Sequence, residues 1–454
     1  MKKYDVIIIG GGPAGYRAAE SLAALKKKVC IVEFSDLRIG GTCLNEGCIP
    51  VKAMIESARL FQKMKNCSEF GIESGGIKMD MAAVRKASSA KMDILRTALY
   101  SSLKRQGIDF NFGSASFVSE NRIKIDSQDA EAESFIIASG SLPSKLKITG
   151  ADIAMDSTGI LEKGFSGNKL LVAGGGYIGC EFASLYRAFG CEVTVVETLS
   201  SLAAMEDDDI SRALEREFKK KGIKIITGAS LKSLSGKKGK ISVSVDKQGA
   251  LIEEEFDGVL SAVGRRARTE DLNAKASGIE LLPSGAVKTD DFMRTNVPNI
   301  YAAGDVIDSP MLAHTAYREG SIAARAIAGI TTRGINYASV PRIVFSFPQI
   351  GAIGITEKAA ASKGIKTNAL KSFFAANAKA VIAGETEGFL KIISSEPDGV
   401  IVGAAAVGGE ACELIHLLAP AVARGMKVSE AKEVMYGHPT LSEIVSDTLA
   451  KAVI

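Results

Sequence analysis

The order of apolar and polar residues near the start of the chain predicts a strand, a tight turn, a helix and a second strand. Residues 4–9 are mostly apolar and β-branched, which is typical of a strand buried on both faces of a parallel sheet. A glycine-rich turn follows at 10–15, residues 13–24 have helical periodicity, and the apolar run 29–33 ends on an acid. This order of elements is expected of a dinucleotide-binding α/β unit.

The same order returns in the middle of the chain. Residues 169–173 predict a strand, 177–189 a helix, and 192–197 a second strand that again ends on an acid. A further helix is predicted over 205–221, because acidic residues 206–209 stand at its positive end and three lysines at its negative end. We interpret these charges as complements of the helix dipole and assign no site to them.

Composition limits the classes of protein and of function. The 454 residues are enough for two or three domains, and 46 glycines suit an α/β fold with many tight turns. The net charge of +4 is spread without long blocks, so we expect no nucleic-acid partner. No apolar run reaches the length of a membrane span, and no targeting segment is expected before the first strand. Seven scattered cysteines indicate a reducing compartment, which leads us to expect a cytoplasmic protein.

Both turns have the spacing G-x-G-x-x-G. In the first, Gly10 makes the turn, Gly12 lets the backbone approach a pyrophosphate, and Gly15 lets the helix and strand pack closely. The matching glycines of the second turn are Gly174, Gly176 and Gly179, and the acids placed to bind ribose hydroxyls are Glu33 and Glu197. Two such units predict two dinucleotides, a nicotinamide and a flavin, as a hydride relay requires.

The acid at Glu197 indicates which nicotinamide coenzyme to expect. A carboxylate accepts a hydrogen bond from a free 2′-hydroxyl and repels a 2′-phosphate, which favours NAD over NADP. Residues 198–201 offer no arginine for such a phosphate. Arg265, Arg266 and Arg268 lie further on. We interpret them as a solvated surface cluster, with binding of a 2′-phosphate as the alternative.

Two cysteines separated by four residues, Cys43 and Cys48, are the strongest candidates for chemistry. Helical periodicity from Val51 to about Lys65, with Pro50 suited to a first turn, places Cys48 near a helix N-terminus, where a thiolate is favoured. A thiolate with a second sulfur within reach is a dithiol/disulfide couple. A structural disulfide or half of a metal site are the alternatives. No second Cys/His pair has zinc spacing, so we expect no metal.

The chain resembles the pyridine nucleotide-disulfide oxidoreductases over essentially its full length, and within that family it is most similar to the dihydrolipoamide dehydrogenase subgroup. Residues 40–52 resemble the redox-active motif GGTCLNxGCIPSK, with Val51 where Ser is usual. Residues 295–305 resemble the second FAD motif, in which the residue at Asp305 binds the ribityl chain. Residues 437–443 are similar to the HPTLSE signature of the subgroup.

The resemblance implies a role for each residue of the redox centre. Cys48 is the sulfur next to the flavin, and Cys43 is the interchange sulfur that meets the lipoyl thiol. Lys52 and Glu181 are expected to pair beside the flavin N5. Tyr177 is expected to gate the nicotinamide site, although packing alone would also explain an aromatic residue in that turn.

The resemblance also implies a catalytic base. His438 takes this role, and Glu443 orients and charges its ring, as carboxylates do for catalytic histidines. In the family this histidine reaches the cysteines of the other subunit, so a homodimer is implied. Two other histidines complete the set. We expect His314 to contact the flavin at a helix start and His416 to be a satisfied interface or core residue.

Further residues are assigned to the cofactors because they match the family. Residues 310–314 are expected to open a helix whose N-terminus points at the flavin. The additional FAD or NAD contacts implied are Gly41, Thr42, Lys52, Ser139, Gly140, Leu312, Ala313, His314 and Gly264. The chain departs from the family pattern at Val51, Ala267, Gln349 and Tyr436, which leaves docking of a lipoyl domain open to change.

We therefore predict an α/β flavoprotein with two Rossmann-like domains and a C-terminal α+β dimerisation domain. The FAD domain is expected over 1–145 and 266–335, the NAD domain over 146–265, and the dimerisation domain over 336–454. The predicted reaction is oxidation of dihydrolipoamide to lipoamide with NAD⁺, as the E3 component of 2-oxo-acid dehydrogenase complexes, so lipoyl domains and E2 subunits are expected partners. The alternatives are an NADPH-dependent small-disulfide reductase of the glutathione type and a non-catalytic flavoprotein scaffold.

Overall fold

The protein's structure, a computed structural model, describes residues 3–237 and 239–452. It divides into two units. The first unit comprises Met1–Ala53, Ala82–Ser144 and Arg265–Tyr337, and the second comprises Met54–Met81, Lys145–Gly264 and Ala338–Ile454. The start of the chain at Met1 and Lys2, and the last two residues, lie outside the described residues.

The first unit is built on a seven-stranded mixed sheet. Its strands, in spatial order, are Asp109–Phe112, Val29–Glu33, Lys3–Ile9, Gln128–Ile137, Arg122–Ile125 and Ala115–Ser119, with Ile300–Ala302 also paired to Gln128–Ile137. The strand Lys3–Ile9 is parallel to both of its neighbours. Ile7 and Ile8 are fully buried in its centre, and burial of each such side chain contributes about 1.5–3 kcal/mol.

Two helices of the first unit pack through small residues. A Cβ at Gly320 would lie 2.2 Å from the Ala14 carbonyl oxygen, so only glycine allows this approach. The helices concerned are Pro13–Ala24 and Ala313–Ile327. This contact holds the first turn of Pro13–Ala24 against the middle of Ala313–Ile327.

The second unit contains a five-stranded parallel sheet. Its strands, in spatial order, are Lys224–Thr227, Glu192–Glu197, Lys169–Ala173, Gly258–Ser261 and Met155–Asp156. A three-stranded antiparallel sheet follows it with Ala229–Lys237, Lys240–Lys247 and Ala250–Phe256. The C-terminal part of this unit is a five-stranded antiparallel sheet, in the order Arg342–Val344, Gln349–Gly354, Ile401–Gly408, Phe389–Ser395 and Thr367–Phe373.

The remaining elements are a two-stranded sheet and helices of varied length. A two-stranded sheet in the first unit pairs Ser141–Pro143 with Arg265–Ala267. The other α-helices are Gly41–Glu46, Cys48–Lys65, Met81–Arg105, Ser157–Lys163, Tyr177–Ala188, Asp208–Lys220, Ala274–Ser277, Glu357–Ser362, Ala378–Ala383, Ala411–Leu414, Ala419–Arg424, Val428–Ala431 and Glu443–Leu449. The 3₁₀ helices are Asp36–Arg38, Cys67–Phe70, Ala151–Ile153, Glu270–Leu272, Tyr337–Ser339, Phe374–Ala376 and Ile415–Leu417. No helix among the described residues is long and apolar enough to cross a membrane.

This architecture confirms the predicted fold class, an α/β protein with two Rossmann-like sheets and a C-terminal α+β part. One helix boundary differs from the prediction in a way that matters for the site. The helix expected from Val51 begins at Cys48, so Pro50 is its third residue, where its missing N–H costs nothing because the first N–H groups of a helix have no partner in the helix. The predicted domain limits stay a prediction.

Candidate active site

The first glycine turn holds the geometry that a dinucleotide needs. Gly10 has φ +109°, and a Cβ there would lie 2.2 Å from the Ala138 carbonyl oxygen. A Cβ at Gly15 would lie 1.9 Å from the carbonyl oxygen of Gly10. Gly12 precedes the helix Pro13–Ala24, and no described side chain caps that helix start. Its backbone N–H groups are thus placed to bind a pyrophosphate.

Glu33 is the last residue of the strand Val29–Glu33, and its side chain hydrogen-bonds to the glycine turn. Its carboxylate accepts from the Gly11 N–H and the Phe34 N–H, both at 2.8 Å. Burial raises the pKa of Glu33, while these bonds and the nearby Arg268 lower it. Each carboxylate oxygen keeps a second acceptor position, so the side chain fits a ribose hydroxyl as well.

The cysteine-bearing segment is fixed directly to this turn. The Gly40 N–H donates to the Gly11 carbonyl at 2.9 Å. A Cβ at Gly41, whose φ is +62°, would lie 2.6 Å from the Gly12 Cα. The Asn45 side chain donates to the Gly41 carbonyl at 2.9 Å and accepts from Arg96 at 2.8 Å. These contacts hold the short helix Gly41–Glu46, and Cys43 within it, against the predicted pyrophosphate site.

Cys43 and Cys48 lie together as two hydrogen-bonded thiols. Cys43 belongs to the short helix, and Cys48 is the first residue of the next helix. The pKa of the Cys43 thiol is raised by its hydrogen bond with Cys48 and by burial, and it is lowered by the charge of Lys52. Lys52 is four residues beyond Cys48 in one helix, so both side chains lie on the same helix face. The structure thus places two sulfurs and one cation in a single cluster.

A pair of tyrosines adjoins the sulfurs. The Tyr16 hydroxyl is 2.7 Å from the Tyr317 hydroxyl, and the two rings are 5.6 Å apart. Burial raises the pKa of both tyrosines, and the charge of Cys43 raises it further. Sequence reasoning missed these residues because no motif marks them.

The predicted flavin motif brings Asp305 to a buried polar group. Asp305 accepts from the Ser141 hydroxyl at 2.6 Å, and Arg265 donates to the same hydroxyl at 2.7 Å. Burial raises the pKa of Asp305. The Ser139 hydroxyl donates to the Arg268 carbonyl at 2.7 Å, beside Gly140, whose φ is +76°. These polar groups fit the ribityl and phosphate parts of FAD.

The expected helix at the flavin begins where the motif predicted. Leu312 is the residue before the helix Ala313–Ile327, and His314 is its exposed second residue. Thr42 and Gly41 are half-buried at the start of the short helix.

The arginines considered for a 2′-phosphate have partners within the first unit. Arg266 pairs with Glu270. Arg268 is 2.9 Å from Asp271, and its guanidinium lies 4.4 Å from the Phe34 ring centre. The interpretation of a solvated cluster therefore fits Arg266 but is wrong for Arg265, which is half-buried and donates to the Ser141 hydroxyl and carbonyl. Arg268 lies beside the first nucleotide turn.

The second glycine turn repeats the first. Gly174 has φ +108°, and a Cβ at Gly179 would lie 1.9 Å from its carbonyl oxygen. Added Cβ atoms at Gly176 and at Gly264, whose φ is +105°, would meet no described atom within 4 Å. This open space above an uncapped helix start fits the pyrophosphate of a second dinucleotide.

Glu197 has the same position as Glu33. Its carboxylate accepts from the Gly175 N–H at 2.5 Å and from the Leu199 N–H at 2.7 Å. The Thr198 hydroxyl donates to it at 3.0 Å. The carboxylate is therefore held in place at the end of the strand, where the prediction puts a ribose.

Glu181 and Tyr177 stand on the helix after this turn. Glu181 is buried and accepts from the Phe345 N–H at 3.0 Å. Tyr177 is hydrogen-bonded to Glu206, which also binds Arg342. Glu181 belongs to the second unit and Lys52 to the first. Their pairing stays a prediction.

His438 and Glu443 form the predicted pair. His438 Nδ1 lies 2.8 Å from Glu443 Oε1, and the Thr440 N–H donates to Oε2 at 2.8 Å. The bonds from Thr440 and His438 lower the pKa of Glu443. Because an ionised carboxylate only accepts, Nδ1 carries a proton, and in the neutral ring Nε2 is then the acceptor. The His438 side chain is 73% exposed, so Nε2 is accessible in the single chain.

The departures from the family pattern have local explanations. Val51 is buried in the helix Cys48–Lys65. The Gln349 amide oxygen accepts from the Cys412 N–H at 3.1 Å, as an acid there could. Tyr436 packs against the C-terminal core, and His416, expected in an interface or core, has an exposed ring that bonds the Cys412 carbonyl at 2.9 Å. No group of three or more potential metal ligands occurs among the described residues.

Family models match most of the chain. Residues 4–320 match the pyridine nucleotide-disulphide oxidoreductase family, and residues 340–449 match the dimerisation domain of the same family. The second match agrees with the predicted C-terminal dimerisation part.

Individual relatives agree with this assignment. The chain is 37% identical to a dihydrolipoyl dehydrogenase of Bacillus subtilis, with 99% of this chain and 96% of the other covered, and 36% identical to that of Geobacillus stearothermophilus, with 98% and 95% covered. Among solved structures it is similar to the HOCl-induced flavoprotein disulfide reductase RclA from Escherichia coli, with a TM-score of 0.89, 27% identity, and 99% and 100% coverage. These matches confirm an oxidoreductase acting on sulfur, with FAD and NAD as cofactors. The chain belongs to the pyridine nucleotide-disulphide oxidoreductase family.

Proposed function

We propose that the chain oxidises dihydrolipoamide to lipoamide with NAD⁺ as the acceptor. The observation that carries this proposal is the thiol pair Cys43 and Cys48, held against the first glycine turn. Dihydrolipoyl dehydrogenases 35% to 37% identical along nearly the whole chain support the choice of substrate.

Thiol exchange at the cysteines accounts for the oxidation. His438 of the partner subunit accepts a proton from one dihydrolipoamide thiol at Nε2, and the resulting thiolate attacks Cys43 in the Cys43–Cys48 disulfide. Cys48 leaves as a thiolate. The second lipoyl thiol loses its proton as its sulfur attacks the mixed disulfide, Cys43 leaves as a thiolate that takes up this proton, and lipoamide is released. Two electrons now reside on the cysteine pair.

The side chains around the sulfurs assist this exchange. Lys52 lowers the pKa of Cys43 and so favours its departure as a thiolate. Glu443 holds the proton on Nδ1 of His438 and stabilises the ring when Nε2 becomes protonated. Bound FAD supplies the two-electron transfer from the cysteines to NAD⁺.

NAD is the proposed coenzyme because Glu197 fixes a carboxylate at the ribose position. Both oxygens of Glu197 are anchored by backbone N–H groups, so the charge cannot turn away from a 2′-phosphate. A carboxylate at the ribose position repels the negatively charged 2′-phosphate, which disfavours NADP. The partners we propose are the lipoyl domains and E2 subunits of a 2-oxo-acid dehydrogenase complex, with the cytoplasm as the compartment.

The electron route is tested by separating the two half-reactions in the FAD-loaded protein. In rapid mixing without oxygen, the wild type should lose flavin absorbance with dihydrolipoamide and also with NADH. The Cys43→Ser variant should respond to NADH alone, because thiol exchange is blocked while the nicotinamide side is intact. Bleaching of Cys43→Ser by dihydrolipoamide at the wild-type rate would refute the proposal.

A disulfide reductase working in the opposite direction is the second candidate. The full-length likeness to a flavoprotein disulfide reductase favours it. It uses the same thiol pair, and it differs in the coenzyme and in the disulfide that is consumed.

A further inference from the structure

Tyr177, Glu206 and Arg342 form one hydrogen-bonded group within the second unit. The Tyr177 hydroxyl donates to Glu206 Oε1. Arg342 binds the same carboxylate with both branches of its guanidinium, Nε to Oε1 at 2.8 Å and Nη2 to Oε2 at 2.9 Å. Arg342 Nη1 also donates to the Gly354 carbonyl at 3.1 Å, which ties the arginine to the C-terminal sheet.

The group assembles from three separate segments. Tyr177 opens the helix Tyr177–Ala188, directly after the second glycine turn. Glu206 precedes the helix Asp208–Lys220, and Arg342 opens the strand Arg342–Val344. Our interpretation of residues 206–209 as helix-dipole complements with no further role is therefore wrong for Glu206, whose side chain is only 1% exposed. Asp207 is buried as well, and an acidic run contains no signal that separates its buried members from its exposed ones.

The three hydrogen bonds to the Glu206 carboxylate differ in how much their loss would cost. A buried carboxylate that loses its cation is strongly destabilising, because its charge is left unpaired. Glu206 keeps both bonds from Arg342 when the tyrosine hydroxyl leaves. The bond to Tyr177 can therefore open without leaving a buried charge unpaired, while the ion pair keeps the acceptor in place for its return.

We propose that Glu206 and Arg342 are positioning residues that tether Tyr177 and thereby set the affinity for the nicotinamide coenzyme. This inference rests on the proposed function, in which Tyr177 flanks the nicotinamide site. In the tethered position the phenol ring is held by a charge-assisted bond, and the coenzyme must break that bond to displace the ring. Removing the tether lowers the cost of displacement and strengthens coenzyme binding.

Calorimetric titration of the oxidised, FAD-loaded protein with NAD⁺ measures this affinity without turnover. Tyr177→Phe removes only the hydroxyl, and we expect its dissociation constant for NAD⁺ to fall about 10- to 150-fold, the range for one hydrogen bond to a charged group. Glu206→Gln should produce a fall of the same sign. In the Tyr177→Phe background, Glu206→Gln should change the constant no further, because the tether is already gone.

Two further variants distinguish loss of the Tyr177–Glu206 hydrogen bond from general effects of substitution. Tyr4→Phe removes a tyrosine–carboxylate bond of 3.1 Å to Asp109 in the first unit and should leave NAD⁺ affinity unchanged. Arg342→Lys keeps the charge and loses the paired contact, so its affinity should shift in the same direction as that of Glu206→Gln.

Unchanged NAD⁺ affinity in Tyr177→Phe, or effects of Tyr177→Phe and Glu206→Gln that simply add, would overturn the inference. A lower melting temperature with unchanged NAD⁺ affinity would likewise show that Tyr177, Glu206 and Arg342 contribute to stability alone. Should Glu206→Gln fail to fold, Tyr177→Phe decides the matter, because it retains the ion pair. The proposed function fails separately, when a wild type that binds NAD⁺ forms no NADH from dihydrolipoamide.

Discussion

The imidazole of His438 obtains its direction from Glu443. The carboxylate holds the Nδ1 proton at 2.8 Å, and its other oxygen is fixed by the Thr440 N–H. The lowered pKa of Glu443 keeps the carboxylate ionised below its usual range, so it continues to accept the Nδ1 proton there. The sequence motif predicted this pair, because the histidine and the acid are five residues apart and local structure brings them together.

Replacing His438 by Ala should slow reduction by dihydrolipoamide about 100- to 10,000-fold, the usual contribution of a positioned base. Reduction by NADH should change little, because no lipoyl proton is transferred in that half-reaction. Stopped-flow measurement of both half-reactions tests this expectation. His416→Ala is the matched control, and equal losses in both half-reactions of His438→Ala would contradict the role of a base.

At the scale of elements, turns and strands were predictable and long-range side-chain partners were not. The helix Pro13–Ala24 and the strands Val29–Glu33, Lys169–Ala173 and Glu192–Glu197 have the predicted bounds, because glycine spacing and apolar runs are local signals. The acidic run 206–209 is an example of side chains whose partners could not be predicted. Its partners Arg342 and Lys391 come from strands more than 130 residues further on, and nothing in the run identifies them.

Lys391 is the centre of a buried ionic cluster. Its ammonium lies 2.8 Å from Asp207, from Asp209 and from Glu357, and its side chain is 1% exposed. Hydrogen bonds to these acids raise the pKa of Lys391 against the effect of burial. Bonds from Lys371 and Lys391 lower the pKa of Asp209, although burial opposes them.

We expect Lys391→Met to lower the free energy of unfolding by about 3–5 kcal/mol, because it leaves the buried carboxylate of Asp207 without its cation. Lys371→Met, which removes a more exposed partner of Asp209, should cost no more than about 1 kcal/mol. Denaturant unfolding at neutral pH measures both values. Equal losses in the two variants would show that burial of the cluster has no energetic consequence.

The pH dependence of this cluster has a definite sign. The lowered pKa of Asp209 gives stability that is present above its ordinary value of 3.8 and is lost as the pH falls through the lowered value. The raised pKa of Lys391 gives stability that is present below 10.5 and is lost as the pH rises through the raised value. The stability that Asp209 and Lys391 contribute to the wild type should therefore be constant between about pH 5 and pH 9, as measured by denaturant unfolding across that window. A steep slope within that window would contradict these shifts.

At the scale of the whole molecule, the match to the family's dimerisation domain adds information on assembly that a single chain does not contain. The single chain leaves His438 exposed and presents apolar side chains such as Met435, which is 95% exposed. The match to a dimerisation domain at 340–449 supports a homodimer, and we propose that a second copy covers this surface. Composition and hydrophobic pattern do not predict which subunit supplies a catalytic group, and the resemblance alone implied it.

Co-expression of Cys43→Ser with His438→Ala subunits tests this sharing. Each homodimer should be inactive with dihydrolipoamide. In a mixed dimer the cysteines of one chain meet His438 of the other, so one of two sites is complete. Random pairing should restore about a quarter of the wild-type rate, since half of the dimers are mixed. A mixture as inactive as its parents would place both groups of a site in one chain.

The most direct test of the account is the rate of NADH formation from NAD⁺ and dihydrolipoamide, measured beside NADPH oxidation with glutathione disulfide. We predict rapid NADH formation and little oxidation of NADPH, because Glu197 repels a 2′-phosphate and the Cys43–Cys48 pair exchanges with a lipoyl dithiol. Rapid NADPH oxidation with glutathione disulfide and slow NADH formation would contradict both the coenzyme and the substrate, and would favour a small-disulfide reductase.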